Sequence, residues 1–248
     1  MSELVGIYAL WYRELKVFMR EKSRIVSSIV NPLIWLVAFG GGLGASISFG
    51  NSSYQAFIFP DMLMLTTLFT SIFFGLYIVW DRKVDFFKEV LVAPLSRTSL
   101  FVGKMLGGCT DSLIQAFIIL ALGPIIGVTY TAYSLGVIIL FTALVAAGTT
   151  SLGLAIGSQM TSFEGFGLVQ SFLIMPLFFL SGALYPLDGL PGWLQVVTYV
   201  NPLSYVVDGM RGAMLGIGHF PLYVDLGVAL VFVVGLIGVG TWAFRRMN

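Results

Sequence analysis

Six long apolar stretches, separated by shorter polar ones, dominate the chain. Residues 25–45, 58–80, 100–122, 134–157, 166–185 and 222–244 each come near the roughly 20 residues that carry a helix across about 30 Å of hydrocarbon. Ahead of them, Leu4, Ile7, Trp11, Leu15 and Phe18 recur at three- and four-residue spacing, while Arg13, Lys16, Arg20 and Arg24 fall on the opposite face. That pattern predicts an amphipathic helix over residues 1–24, apolar face down in the headgroup layer. Residues 186–221 are too broken by Pro and Gly to span, yet richer in Leu, Val, Trp and Tyr than a free loop. Trp193, Leu194, Val197 and Tyr199 predict a short helix. Asn201 and Pro202 break it, and a second apolar piece follows through Met214. Irregular backbone at membrane depth survives only inside protein or along a wet cavity, so these pieces are expected to be re-entrant helices forming an outer cap. The fold expectation is an all-α polytopic membrane protein, with an interfacial helix over 1–24 and one six-span domain over 25–248.

Charge orients this map. Arg13, Lys16, Arg20, Lys22 and Arg24 precede the first span. Arg82, Lys83, Lys88, Arg97 and Lys104 lie around the connection between the second and third, and Arg245 and Arg246 follow the last; Arg211 alone falls on the other side. An excess of cations in short loops marks the cytoplasmic face. Both termini and the loop over 81–99 are therefore expected inside, in the cell membrane, which agrees with an even number of spans.

Composition narrows the function. The chain is 58% apolar and 10% charged, with a mean hydropathy of +0.95, against roughly 25% charged residues in soluble domains. A net charge of +1 carries no nucleic-acid footprint. Cys109 is the single cysteine, so no disulfide forms within the chain. Residues 1–22 carry charge throughout and do not read as a signal peptide. A phosphate-binding loop ends in Gly-Lys-Ser/Thr; here Gly103-Lys104 is followed by Met105, with no Gly five residues before the lysine. The chain is thus not its own ATPase. No spacing of His, Cys, Asp and Glu suggests a metal, and no catalytic residue is expected.

Three runs carry a family resemblance. Phe179-Leu180-Ser181-Gly182-Ala183-Leu184-Tyr185-Pro186-Leu187 is followed by Pro191-Gly192-Trp193-Leu194 and by Asn201-Pro202-Leu203-Ser204-Tyr205-Val206-Val207-Asp208-Gly209-Met210-Arg211-Gly212. Glu89-Val90-Leu91-Val92-Ala93-Pro94-Leu95-Ser96-Arg97 and Ser162-Phe163-Glu164 accompany them. Together they resemble the type-2 ATP-binding-cassette (ABC) export permeases, most closely the short drug-resistance and nodulation-factor kind. The resemblance covers essentially the whole chain. It implies the transmembrane subunit of an ATP-driven exporter, moving an amphipathic or hydrophobic substrate (a drug, a lipid or a lipid-linked glycan) out of the cytoplasm. It implies two six-span units, as a homodimer or paired with a related permease. Two copies of a separate ATPase subunit would bind ATP and Mg, leaving this chain without a cofactor. The alternative, a secondary transporter or channel working alone, would want polar ion sites at mid-depth on several spans, and only Asp111 qualifies.

The candidate residues follow. A short helix between the second and third spans would carry Asp85, Lys88 and Glu89 on its polar side and Phe87 and Leu91 on its apolar stripe. Phe86 and Phe87 are the anchors expected in a partner's pocket, with Glu164 a second contact. At the outer gate stand Trp193, Asn201, Pro202, Asp208 and Arg211, the last two spaced to pair along a helix. Asp111 is expected either to line a substrate path or to meet Lys104 seven residues earlier on the same face. The aromatic residues Phe73, Phe172 and Phe179 are candidates to line an apolar route.

Overall fold

A computed structural model describes residues 3–42, 54–83, 95–185, 187 and 189–247. Among them every α or β element is a helix: α1 (Glu3–Arg20), α2 (Lys22–Gly42), α3 (Tyr54–Phe73), α4 (Leu76–Lys83), α5 (Arg97–Leu122), α6 (Ala132–Gln159), α7 (Phe163–Phe179), α8 (Gly192–Val200), α9 (Pro202–Leu215) and α10 (Leu222–Arg245), with a 3-10 turn at Gly123–Ile126. Polar side chains start several of them. Ser96 accepts from the Ser99 N–H ahead of α5, and Ser162 accepts from the Gly165 N–H ahead of α7. Thr131 and Ser134 cap α6 reciprocally. Each such cap satisfies an orphan amide and stabilises its helix by about 1 kcal/mol.

Among the described residues, four helical stretches are long and apolar enough to cross a membrane: Tyr54–Lys83, Arg97–Ile125, Ala132–Gln159 and Leu222–Arg245. They contain the spans expected over 58–80, 100–122, 134–157 and 222–244. The chain is therefore an all-helical polytopic membrane protein. The helix in the expected span over 166–185 has shifted bounds: it runs Phe163–Phe179 and ends before a turn in which Gly182 takes φ 78°. Pro176 removes an amide within its last turn. At 1.5 Å per residue its 17 residues reach about 26 Å.

The tightest crossing sits where α3 meets α4. The helix loosens at Phe74 and Gly75, and a Cβ on Gly75 would strike the Gly153 carbonyl of α6. A Cβ on Gly157 would in turn strike the Gly75 carbonyl. The Gly153/Gly157 spacing thus seats one backbone against another, as membrane helices need where the hydrophobic effect no longer draws them together. α3 is buried on nearly every side, around Leu63, Leu68 and Ile72, and packs on α5 and α6. α10 lies along α6 and leaves Val231, Val234 and Trp242 facing outward.

α1 forms the helix expected within residues 1–24, and one of its faces packs on the bundle. Gly6, Leu10, Glu14 and Phe18 form its buried face, and it lies along α5. Leu10 and the Ile7 carbonyl sit where a side chain on Gly103 would go, and Glu14 where one on Gly107 would go. Leu4, on the apolar stripe expected to face lipid, is 77% exposed in the folded chain.

Candidate functional site

Two apolar cavities run along α3. The larger, about 600 Å³, is walled by Phe69, Phe73, Leu76, Trp80 and Phe163, with Glu21, Thr70, Tyr77 and Gln115 as its principal polar groups. The smaller, about 310 Å³, is walled by Trp35, Met62, Leu65, Met175, Phe178, Phe179 and Leu184. Phe69 and Thr70 line both, so the two follow one another between α2, α3 and α7. Aromatic and aliphatic walls with few polar groups suit an amphipathic molecule.

A compact ion cluster closes one end of the bundle. Lys104 of α5 extends Nζ to Glu14 Oε1 of α1 at 3.0 Å and to Asp81 Oδ2 of α4 at 2.7 Å. Arg13 reaches the same two carboxylates, Glu14 at 2.7 Å and Asp81 at 3.2 Å. Lys104, Glu14 and Asp81 are buried. Two cations against two carboxylates leave the cluster neutral, which is how buried charge is tolerated. Nearby, Tyr77 donates to Glu21 Oε2 at 2.5 Å, and Arg82 donates to the Ser158 and Met160 carbonyls, 2.6 and 3.3 Å away, at the end of α6. At the exposed start of α1, hydrogen bonds from Ser99 and Ser96 hold the Glu3 carboxyl below the usual carboxylate range.

The opposite end carries a cap. Asn201 accepts from the Leu203 N–H at 3.0 Å, starting α9, and donates to the Leu177 carbonyl of α7 at 2.6 Å. Pro202 occupies the first turn of α9, where no amide is needed. Arg211 of α9 reaches Asp61 of α3 at 2.5 Å, donates to the Gly182 and Ala183 carbonyls at 2.9 and 2.7 Å, and lies 3.9 Å from the Phe57 ring centre. Asp208 accepts from the backbone N–H groups of His219 and Phe220.

The sequence-predicted residues fare unevenly. Asn201, Pro202, Asp208 and Arg211 meet at the cap, but Asp208 and Arg211 do not pair: each has a distant partner instead. Trp193 is 68% exposed on α8. Phe73 lines the larger cavity and Phe179 the smaller, whereas Phe172 lines neither and is 80% exposed. Asp111 is buried but lines neither cavity, and the Lys104 amine it was expected to meet is held by Glu14 and Asp81. Asp85, Phe86, Phe87, Lys88, Glu89 and Leu91 lie outside the described residues. Glu164 is exposed in the first turn of α7.

Sequence reasoning missed Glu14, Asp81, Asp61 and Gln115. For Glu14 a signal existed. It stands in register with Gly6, Leu10 and Phe18 at four-residue spacing, a carboxylate inside an apolar stripe.

The comparisons with known proteins agree with this architecture. A family model described as ABC-2 type transporter matches residues 5–215. The inner membrane transport permease YadH of Escherichia coli strain K12 is 29% identical over 238 residues, covering 93% of this chain and 91% of that protein. Nodulation protein J of Rhizobium leguminosarum biovar viciae is 26% identical over 245 residues, covering 96% of this chain and 93% of that protein.

Proposed function

The chain belongs to the ABC-2 type transporter family, and from that premise we propose that it is the membrane subunit of an ATP-driven exporter for an amphipathic or hydrophobic substrate. A drug, a lipid or a lipid-linked glycan would fit. The observation that carries this reading is the pair of consecutive apolar cavities between α2, α3 and α7. Their walls hold few polar groups, as a route for a largely apolar cargo requires. The absence of a Gly-Lys-Ser/Thr loop assigns ATP hydrolysis, and the Mg it uses, to a separate subunit. In this reading six spans place the ion cluster and both termini in the cytoplasm, and α8 and α9 re-enter as the outer gate. Two copies of the chain face one another over two ATPases. The segment with Asp85, Phe86, Phe87, Lys88, Glu89 and Leu91 receives the ATPase stroke, with Glu164 beside it.

Reconstitution with a separate ABC ATPase subunit tests the proposal. Co-purification and ATP-dependent loss of a lipophilic dye from vesicles are expected. Phe86→Ala with Phe87→Ala should weaken ATPase attachment or uncouple hydrolysis from transport. A chain that moves the dye under an ion gradient with no ATPase present would replace this reading by a secondary transporter.

A further inference from the structure

The larger cavity sets one carboxylate among rings. Glu21, at the junction of α1 and α2, lines it beside Phe69, Phe73, Tyr77, Trp80 and Phe163. Glu14, Asp81 and Asp61 each have a cation of their own. Glu21 pairs with none among the described residues, and no Lys or Arg among them lines the cavity. Its Oε2 accepts from the Tyr77 hydroxyl, while Oε1 has no partner among the described residues and is not sealed from solvent. The Glu21 side chain is half-exposed, and Phe73 and Trp80 on the same wall are 42% and 55% exposed. A molecule entering the cavity therefore meets both the carboxylate and the rings on open surface. An unneutralised charge that a membrane protein turns toward an open cavity marks a place where an opposite charge belongs.

We propose that the larger cavity takes a molecule with one positive charge on an apolar body, an organic ammonium held against Glu21 and the ring faces beside it. The inference deepens the permease reading and rests on it. Aromatic faces attract an ammonium that has left water, and Glu21 supplies the counter-charge. The edge of this wall already does so once. Lys83, exposed and not lining the cavity, places Nζ 4.0 Å from the Phe163 ring centre, and that ring lies 5.8 Å from Trp80. An anionic or zwitterionic head would need a cation on the wall for its phosphate or carboxylate, and among the described residues none stands there. A volume of about 600 Å³ lies within the range of small-molecule sites. Tyr77 is the positioning residue: by donating to Oε2 it leaves Oε1 for the ligand.

The test uses the full chain with a separate ABC ATPase subunit in phosphatidylglycerol nanodiscs, and two alkyl probes that carry a diazirine. One ends in trimethylammonium, the other in the isosteric, uncharged tert-butyl group. Mass spectrometry reads label on Phe69, Phe73 and Trp80, divided by label on the outward-facing Val231 and Val234 of α10, which cancels partition into lipid. The wild type should favour the ammonium by roughly ten-fold, the factor that ring faces and a counter-charge together supply. Glu21→Gln keeps the shape and the acceptor for Tyr77, and should bring the ratio to roughly two, the share left to the rings. Tyr77→Phe frees the carboxylate and should keep the full ratio. Ser27→Lys, at an exposed position lining the same cavity, adds an ammonium without touching Glu21 and should bring the ratio to one or below. A wild-type ratio of one overturns the inference. So does a ten-fold ratio that survives Glu21→Gln or, where that variant does not fold, Ser27→Lys. Repeating the wild type in phosphatidylcholine discs separates a free cation from a choline headgroup: an unchanged ratio upholds the inference, and a ratio brought to one overturns it in favour of the headgroup. None of these results touches the permease reading, whose failure would show separately as a chain that binds no ATPase.

Discussion

Both ends of the bundle bury a cation among helices distant in sequence, but they do so differently. At one end Lys104 divides its ammonium between Glu14 and Asp81, and Arg13 bridges the same pair, so all three partners are side chains. At the other, Arg211 spends one contact on Asp61 and two on the carbonyls of Gly182 and Ala183. The first arrangement ties α1, α4 and α5 into one body. The second pins a short cap helix to α3 and to the turn after α7. A compact ammonium collects several carboxylates, whereas the planar guanidinium fork suits a carboxylate and carbonyls presented by a turn. The ion cluster is thus held by side chains alone, whereas the cap also depends on the backbone conformation of the turn after α7.

Removing Lys104 should produce the largest effect. Lys104→Met strands two buried carboxylates, and breaking a buried ion pair this way costs about 3–5 kcal/mol. Thermal unfolding in detergent should show the loss, and Lys104→Met combined with Glu14→Gln and Asp81→Asn should regain most of it. A Lys104→Met chain as stable as wild type would mean that the cluster does not bind the three helices.

Arg211→Met should cost somewhat less, about 3 kcal/mol, because one carboxylate rather than two is stranded. Asp61→Asn in the same chain should recover part of it. Asp208→Ala loses only hydrogen bonds from the His219 and Phe220 amides, worth about 1–3 kcal/mol. Exchanging Asp208 with Arg211 should rescue nothing, since the two do not pair; rescue by that exchange would restore the local pair that their spacing suggests. Chemical unfolding of the four variants side by side distinguishes the two pairings.

Between the two ends lies the Gly75 crossing, where the expected effect is smaller. Gly75→Ala places a Cβ against the Gly153 carbonyl and should cost about 1–3 kcal/mol through overpacking. Gly235→Ala on α10, where a Cβ would meet nothing within 4 Å, is the control. It should leave the melting temperature unchanged or raise it slightly, because alanine is the better helix former. Equal losses at both positions would indicate that helix propensity, not contact, governs the crossing.

How much of this was legible in the sequence follows from the range of each interaction. The long spans were legible because lipid imposes one rule, about 20 apolar residues, on each stretch by itself. The short helices after Gly192 and Pro202 were legible from the Asn201-Pro202 break. The ion cluster was not, since Lys104 lies 90 positions from Glu14 and 23 from Asp81. Arg211 lies 150 positions from Asp61. Helical spacing instead offered local partners, Asp208 for Arg211 and Asp111 for Lys104, and in both cases a better-placed carboxylate on another helix took the cation. Periodicity named the apolar stripe of α1 but not the face that packs on α5. Gly6 and Glu14 carry no apolar signal, yet the close approach to Gly103 and Gly107 selects their face. Asp85 through Leu91 were named for coupling and lie outside the described residues.

The smallest expected effect probes how α1 is held beyond its charges. Trp11 Nε1 donates to Thr110 Oγ1 of α5 at 2.9 Å, on the partly buried flank of the helix. Thr110 also donates to the Leu106 carbonyl of its own helix, so it keeps a partner when the indole is gone. Trp11→Phe preserves an aromatic ring and deletes the N–H, which should cost about 1 kcal/mol, the net worth of one neutral hydrogen bond. Thr110→Val deletes the acceptor. If the bond acts independently of the ion cluster, the double variant should lose little more than Trp11→Phe alone, giving a coupling energy of about 1 kcal/mol in a double-mutant cycle. The same cycle in a Lys104→Met background should give the same value if α1 is still seated by Leu10 and Phe18. A coupling that vanishes there would show that the ion cluster alone positions α1, making this end of the bundle as dependent on a single cation as the cap is on Arg211.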